Sequence, residues 1–268
     1  MTRRLRLDAE LVRRGLARSR DHAAELVGQG RVRVSGATAT KAATGVTTDV
    51  ALVVVADSGR PDYVSRGGHK LAGALAAFCP RGLDVTGARA LDAGASTGGF
   101  TDVLLRNGAA HVLAVDVGYG QLGWRLQRDE RVTVLDRTNV RVLAAEQLPY
   151  PPDLVVADLS FISLTLVLPA LSRVATTHAD LVVMVKPQFE VGRERLGKGG
   201  VVRDPALRAE AVTSVADVGG TLGFGVGGVC ASPLPGPSGN VEYFVWLRRG
   251  AAPLEPDLLI SVVSEGPQ

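Results

Sequence analysis

The 268-residue sequence predicts an α/β protein, in which a mostly parallel sheet covered by helices follows a small α+β module. Three observations support this prediction. From Gly67 onward, short runs rich in Val and Leu alternate with helical patterns, which is typical of a parallel sheet covered on both faces. The first 50 residues carry ten basic and five acidic side chains, so the rest of the +3 chain sums to −2. Residues 56–66, which include Gly59 and Pro61, have the composition of a linker.

The composition excludes several classes of protein. Apolar residues form 46% and charged residues 21% of the chain, which favours a folded core over a disordered protein. Cys79 and Cys230 are too few for a disulfide framework or a tetrahedral zinc site; we expect no metal, and we expect both thiols to be buried in a reducing compartment. The start lacks the apolar segment of a signal peptide, and the stretch 159–172 is too short to span a membrane. We therefore expect a cytoplasmic protein without stable membrane insertion.

The head is expected to contain two short helices and a few small strands. Capping side chains and turn residues mark the helix starts and the connections between elements. The predicted elements are a helix capped by Asp8 and running through Gly15, a helix over 20–27 capped by Ser19, a strand at 32–34, a turn at Ser35-Gly36 and a strand at 51–55.

Basic side chains bracket these predicted elements. Arginine suits phosphate because its planar guanidinium donates two hydrogen bonds at once. A basic head on a near-neutral body indicates a module that binds a polyanion, although a solvated basic face would explain the charge equally well. The candidate RNA-binding residues are Arg3, Arg4, Arg6, Arg18, Arg20 and Lys41, with Arg31 and Arg33 among the same elements.

The body is expected to alternate strands and helices and to end in an antiparallel hairpin at the sheet edge. Asp204 followed by Pro205 is a typical helix start, with a capping carboxylate before proline in the first turn. The predicted helices are 70–78, 100–107 and 205–218, and the predicted strands are 89–92, 111–116, 132–135, 153–158, 181–186, 224–230 and 241–247.

Residues 91–100 follow the first of these strands and open a helix, so small side chains and free N–H groups can meet a ligand there. Glycines at 94, 98 and 99 match a dinucleotide motif poorly, which disfavours a dehydrogenase. The acidic residue at 92 resembles the first motif of S-adenosylmethionine-dependent methyltransferases. A later carboxylate, at 116, is suited to binding ribose hydroxyls. A tight turn without a ligand is the alternative. The candidate cofactor-binding residues are Asp92, Gly94, Ser96, Thr97, Gly98, Gly99, Phe100, Asp116, Asp136 and Arg137.

Four charged residues are candidates for the chemistry. Asp158 and Lys186 end parallel strands, and Glu242 begins a strand predicted to run the opposite way, so we expect these three at the carboxyl edge of the sheet. Spacing does not decide whether Lys70 reaches that edge. An amine whose pKa is lowered by desolvation or by a second cation can accept the proton of a ribose 2′-hydroxyl while that oxygen attacks a sulfonium methyl. Taken singly, each of the four is more often part of a surface ion pair.

Several segments resemble known families. The head, with "GLARSRDHAAELVGQGRVRVSG", resembles the S4 RNA-binding domain. The whole chain resembles the TlyA family of 2′-O-methyltransferases, which are S4-headed relatives of the FtsJ/RrmJ fold. The segments with this resemblance are "SRGGHKL", "LDAGASTGGFTD", "DVGYGQL", "ADLSFIS", "KPQFEVGR" and "PGPSGNVEYF".

The resemblance implies an architecture and a site. It implies an S4 domain over 1–58, a linker over 59–66 and, over 67–268, a Rossmann-like class I methyltransferase domain with a mostly parallel seven-stranded sheet. S-adenosylmethionine is the implied cofactor. The implied Lys-Asp-Lys-Glu tetrad is Lys70, Asp158, Lys186 and Glu242, in which Lys186 is the base, Asp158 orients it, and Lys70 and Glu242 align the nucleotide.

The resemblance also implies a substrate. The family methylates cytidine 2′-hydroxyls in ribosomal RNA within ribosomal subunits, which sensitises bacteria to capreomycin-type antibiotics such as viomycin. The extended head and tail resemble the longer subgroup, which modifies 16S and 23S RNA. Nothing in the sequence predicts oligomerisation, so we expect a monomer. Two alternatives are a haemolysin-like membrane-active protein, a label that the family has also had, and a non-catalytic RNA-binding factor.

Overall fold

The computed structural model describes residues 4–55, 61–236 and 238–265. The chain divides into two compact units, Met1–Asp62 and Tyr63–Gln268. This division falls within the segment 59–66 expected to be a linker, and the exact limits of the head, linker and body remain predictions. Arg3 and linker residues 59 and 60 lie outside the described residues.

The first unit combines two helices with two small antiparallel sheets. Strand β2 pairs with β3 and β5, and β1 pairs with β4. The expected cap on the second helix is confirmed, because Ser19 Oγ accepts a hydrogen bond from His22 N at 3.1 Å. The elements are β1 (Arg4–Arg6), α1 (Leu7–Arg13), α2 (Arg20–Gly28), β2 (Val32–Val34), β3 (Ala37–Thr38), β4 (Gly45–Thr47) and β5 (Leu52–Val54).

The prediction that Asp8 caps the first helix is wrong. Arg6 occupies the N-cap position, and α1 ends at Arg13 rather than at Gly15. The buried carboxylate of Asp8 lies inside the helix, where it accepts hydrogen bonds from the guanidinium groups of Arg6 and Arg20. Its Oδ1 also accepts a hydrogen bond from Ala9 N in the first turn at 2.7 Å, so Asp8 stabilises the start of the helix from within it and not from the N-cap position.

The second unit contains one seven-stranded sheet in the order β11-β12-β10-β9-β6-β7-β8. The five strands from β10 to β8 are parallel neighbours, whereas β12 runs antiparallel to both β10 and β11. The expected antiparallel hairpin at the edge is therefore confirmed. The strands are β6 (Arg89–Ala93), β7 (His111–Val115), β8 (Val132–Leu135), β9 (Leu154–Ala157), β10 (Asp180–Val185), β11 (Phe224–Ala231) and β12 (Tyr243–Arg249).

Helices cover both faces of this sheet. Apolar side chains alternate along the strands, so that Leu91 and Leu113 face one core while Ala90 and Val112 face the other. Helices α3, α4 and α5 supply the core with Ala90, and α6, α8 and α9 supply the core with Leu91. The helices are α3 (Arg66–Phe78), α4 (Gly99–Arg106), α5 (Trp124–Gln127), α6 (Leu168–Val174), α7 (Pro187–Glu190), α8 (Pro205–Thr221) and α9 (Pro256–Glu265).

Two further expectations differ from the structure. Helix α3 begins at Arg66, so Lys70 lies in its second turn instead of opening it. Cys79 is exposed because it follows the last residue of α3, whereas Cys230 is partly buried and burial raises the pKa of its thiol to about 12. Among the described residues, no helix has the length and apolar character needed to cross a membrane.

Candidate active site

Two adjoining cavities lie at the carboxyl edge of the parallel strands, where sheets of this kind bind ligands. The smaller has a volume of about 290 Å³ and the larger about 540 Å³. Gly94, Ser96, Asp158 and Ser160 line both. The two spaces therefore share a wall, as a site for two reactants requires.

The loop after β6 forms one side of the cavities. Gly94 has a φ of +87° and Gly98 a φ of +97°, conformations that a side chain disfavours. A Cβ at Gly94 would lie 2.7 Å from the carbonyl oxygen of Asp158, so glycine lets the loop approach the neighbouring strand closely. Of the other loop candidates, Thr97, Gly99 and Phe100 line the smaller cavity with Gly94, while Gly98 lines neither.

Asp116 follows β7 and lines the larger cavity. Its Oδ2 accepts a hydrogen bond from Ser96 N at 2.8 Å, and its Oδ1 accepts one from Gly118 N at 2.7 Å. Each carboxylate oxygen has two lone pairs, so one acceptor position per oxygen is left for a ligand. This arrangement suits a pair of vicinal ribose hydroxyls.

The next two candidates stand outside the cavity walls. Asp136 Oδ2 accepts a hydrogen bond from Gly120 N at 2.9 Å. The guanidinium of Arg137 lies over the ring of Tyr119, 4.3 Å from its centroid. Their neighbours Thr138, Asn139 and Val140 line the larger cavity instead. Cofactor binding by Asp136 and Arg137 stays a prediction.

Asp92 is fully buried at the end of β6 and lines neither cavity. Its Oδ2 accepts a hydrogen bond from Thr101 Oγ1 at 2.7 Å, whereas its Oδ1 has no hydrogen-bond partner among the described residues. Burial raises the pKa of this carboxyl to about 7, and the nearby charge of Asp158 adds to the effect. The structure therefore does not bring Asp92 to either cavity, and its role in cofactor binding stays a prediction.

The four residues proposed for chemistry form two ion pairs. Lys70 Nζ lies 2.5 Å from Glu242 Oε2, and Lys186 Nζ lies 2.6 Å from Asp158 Oδ1. Lys70, Lys186 and Glu242 are buried. Lys70, Lys186 and Asp158 line the smaller cavity. Burying charges in this way costs desolvation energy, which makes the arrangement a candidate for function rather than for stability.

The strand register explains how these side chains converge. Lys186 follows β10 directly and Glu242 precedes β12 directly, and Val185 pairs with Tyr243 across these two antiparallel strands. Asp158 follows β9, the parallel neighbour of β10. The open question about Lys70 is answered by its contact with Glu242, a residue 172 positions later in the chain.

Sequence reasoning missed several residues of the smaller cavity. Ser160 Oγ accepts a hydrogen bond from Lys186 Nζ at 2.9 Å. Arg66 lines the cavity and donates from Nη2 to the carbonyl oxygen of Pro235 at 3.1 Å. Ser160 lies two residues after Asp158 inside the quoted segment "ADLSFIS", and that proximity was the available signal. In the part of the chain that the structure describes, no group of three or more His, Cys, Asp or Glu could hold a metal ion.

The candidate RNA-binding residues in the head are exposed where the structure describes them. Arg4 and Lys41 lie at the surface. Arg6 and Arg20 each form an ion pair with Asp8, at 2.8 and 3.2 Å, so this buried acid holds both guanidinium groups. Arg18 lies 3.5 Å from Asp62 in the same unit. Their role in binding RNA stays a prediction.

Comparison with known proteins places the chain in a family. The sequence model of the FtsJ-like methyltransferases matches residues 63–249, and that of the S4 domain matches residues 5–50. A Mycobacterium tuberculosis H37Rv protein named 16S/23S rRNA (cytidine-2′-O)-methyltransferase TlyA is 60% identical over 273 aligned residues, covering 100% of both chains. The chain belongs to the TlyA family of FtsJ-like methyltransferases. As a member of that family, it is an S-adenosylmethionine-dependent methyltransferase.

Other TlyA-like proteins support the same assignment. A Bacillus subtilis protein provisionally named rRNA methyltransferase YqxC is 41% identical, with 91% of this chain and 85% of that protein covered. The solved structure of a provisionally named hemolysin from Streptococcus thermophilus superposes with a TM-score of 0.77 at 36% identity, covering 99% of this chain and 96% of the other. The predicted fold class, a methyltransferase sheet with an S4 head, is thereby confirmed.

Proposed function

We propose that this TlyA-family chain transfers the methyl group of S-adenosylmethionine to the 2′-hydroxyl of cytidine in ribosomal RNA, in both 16S and 23S RNA. The observation that supports it most is a set of two lysine–carboxylate ion pairs beside the cavities. Lys186 pairs with Asp158, which lines both cavities, and Lys70, which lines the smaller one, pairs with Glu242. The 60% identical relative is named for this reaction. With ribosomal RNA as the substrate, the chain would work in the cytoplasm.

The larger cavity is the proposed cofactor site. Asp116 would accept hydrogen bonds from the ribose hydroxyls of the cofactor, and the loop after β6 would border the cofactor at Gly94 and Ser96, which line both cavities. When bound, S-adenosylmethionine supplies an electrophilic methyl group on a positively charged sulfur.

The smaller cavity is the proposed site for the target ribose. Lys186, as the neutral amine, would accept the proton of the 2′-hydroxyl as that oxygen takes the methyl group, whose bond to sulfur breaks with both electrons staying on the sulfur. Asp158 holds the amine through the 2.6 Å contact. Lys70, which lines the smaller cavity, and its ion-pair partner Glu242 would align the nucleotide. This direct displacement uses no metal and no covalent enzyme intermediate, so positioning supplies most of the rate enhancement.

The S4 head is the proposed anchor on ribosomal RNA. Because Asp8 holds the guanidinium groups of Arg6 and Arg20, these cations are ordered before RNA binds. Arg20→Ala should weaken binding to ribosomal subunits and lower the slope of log affinity against log salt by about 1. Equal binding of this variant and the wild type across a salt series would contradict the assignment.

The central test is methyl transfer from tritiated S-adenosylmethionine to purified unmethylated 30S and 50S subunits. Wild type should label both, and Lys186→Ala should lose labelling while keeping its affinity for the cofactor in calorimetry. Lys198→Ala is the matched control, because Lys198 lines neither cavity. Cells that lack the gene should lose the ribose methylation and become resistant to capreomycin and viomycin.

Two results would overturn the proposal. Unchanged turnover in Lys186→Ala would refute the base assignment. Failure of the wild type to bind S-adenosylmethionine would favour the non-catalytic RNA-binding alternative.

A further inference from the structure

We propose that Ser160 is a positioning residue that, together with Asp158, fixes the direction in which the amine of Lys186 accepts a proton. This inference rests on the proposed function, in which Lys186 is the base. It starts from the two contacts of Lys186 Nζ, at 2.6 Å to Asp158 Oδ1 and at 2.9 Å to Ser160 Oγ. Both acceptors lie on the short segment that follows β9.

Because the nitrogen of an amine is tetrahedral, these two contacts restrict the direction in which its lone pair can point. A protonated lysine has three N–H bonds, and the neutral amine that accepts a proton has two N–H bonds and one lone pair. If Asp158 were the sole acceptor, rotation about the terminal C–N bond would leave the lone pair two positions to occupy. With Ser160 accepting the second N–H, the lone pair must take the remaining position.

The location of Ser160 fits this role. It lines both cavities, as does Asp158, whereas Lys186 lines only the smaller one. The side chain of Lys186 is 9% exposed, so little water is available to replace a missing acceptor. The hydroxyl therefore sits at the boundary between the proposed methyl donor and the proposed methyl acceptor.

A second set of contacts holds the segment that carries Ser160. Helix α7 follows Lys186 directly, and the carboxylate of Glu190 in this helix accepts hydrogen bonds from Ser163 Oγ at 2.5 Å and Leu164 N at 2.9 Å. The rings of Phe161 and Phe189 also contact each other, with centroids 5.2 Å apart. Lys186 and Ser160 thus lie next to two segments, α7 and the segment after β9, that these hydrogen bonds and this ring contact connect.

Phe161 adds evidence that this segment has an imposed conformation. It has a φ of +65°, which is rare for an aromatic residue, and its side chain lies at the surface. Such a backbone persists only where surrounding contacts maintain it. The Glu190 contacts on one side and the Ser160–Lys186 hydrogen bond on the other are those contacts.

The test is single-turnover methyl transfer to ribosomal subunits by the full chain, measured from pH 6 to pH 10. Ser160→Ala should lower the maximal rate about tenfold or more, since a hydrogen bond to a charged group is lost. The midpoint of the rate–pH curve should move to lower pH, because the hydroxyl no longer stabilises the protonated amine. Ser160→Thr keeps the hydroxyl and should restore both the rate and the midpoint.

Ser163→Ala is the matched control on the same segment. It removes a hydroxyl that contacts Glu190 rather than Lys186, so it should slow transfer without moving the midpoint. Wild-type rate and midpoint in Ser160→Ala would overturn the inference, as would equal loss in Ser160→Ala and Ser160→Thr. Absence of transfer by the wild type itself would instead refute the proposed function, so the two failures are distinguishable.

Discussion

Substitution of Gly94 tests whether the loop after β6 is coupled to the catalytic residues. Its φ of +87° and its approach to the strand bearing Asp158 are separate features, and Gly94→Ala disturbs both. The added methyl group would lie 2.7 Å from the carbonyl oxygen of Asp158 and 3.0 Å from Leu159 Cδ2. Because the first of these atoms belongs to the backbone, it has no rotamer by which to move away.

The magnitude follows from these two features. An alanine at positive φ costs about 1–2 kcal/mol of stability. Ordinary contact with the carbonyl oxygen begins at 3.4 Å, so the loop or its neighbour must shift by about 0.7 Å from the 2.7 Å separation. A displacement of 1 Å in a catalytic group costs about a hundredfold in rate, so a shift of about 0.7 Å should cost about 25-fold. Gly94→Ala should therefore be about 25-fold slower in single-turnover methyl transfer.

Gly87→Ala separates the two effects. Gly87 has a φ of +73°, but a Cβ there meets no atom within 4 Å. Gly87→Ala should therefore lower the thermal unfolding temperature through backbone strain, as Gly94→Ala does, while keeping the wild-type rate of methyl transfer. Equal rates for Gly94→Ala and the wild type would refute the coupling, and equal loss of rate in both variants would show that backbone strain alone is responsible.

Three further predictions concern the carboxylates of Asp92, Glu190 and Glu10. Because burial raises the pKa of Asp92 from 3.8 to about 7, the folded chain keeps a proton that the unfolded chain releases near pH 4, so the free energy of unfolding should fall as pH rises from about 4 to 7. Denaturant unfolding across this range should show that fall in the wild type and not in Asp92→Asn. Glu190→Ala should slow methyl transfer about tenfold by releasing the segment it holds, whereas Glu190→Gln, which keeps an acceptor for Leu164 N, should recover most of the rate; equal loss in both variants would contradict this. Arg13 and Arg14 hold the pKa of Glu10 at about 2, so its stabilising effect is complete above about pH 4.5 and is lost as pH falls towards 2. In acid unfolding followed by circular dichroism, Glu10→Gln should lack the part of the stability loss that the wild type shows between about pH 4.5 and 2. Identical acid profiles of the variant and the wild type would argue against these ion pairs.

Local features of the sequence predict much of the fold. The strands at 132–135 and the cap at Ser19 appear as predicted, because hydrophobic alternation and capping chemistry depend on neighbouring residues. Strands β1 and β4 were missed, since each has only three residues and exists through pairing with the other. Helix α9 was also missed, and it packs Leu259 and Val263 into a core whose other members come from distant parts of the chain.

The candidate site also combines features that the sequence predicts with features that only the tertiary structure shows. The segments around Asp92, Asp158 and Lys186 are recognisable in the sequence because each places a charged residue at the end of a buried strand or directly after it. The partnership of Lys70 with Glu242 and the contact of Ser160 with Lys186 follow only from tertiary structure. Strand order and register bring these atoms together across many intervening residues, and no periodicity along the chain encodes that order. The sequence by itself determined the chemical groups that this protein has available, and the pairing of its strands decided which of those groups meet.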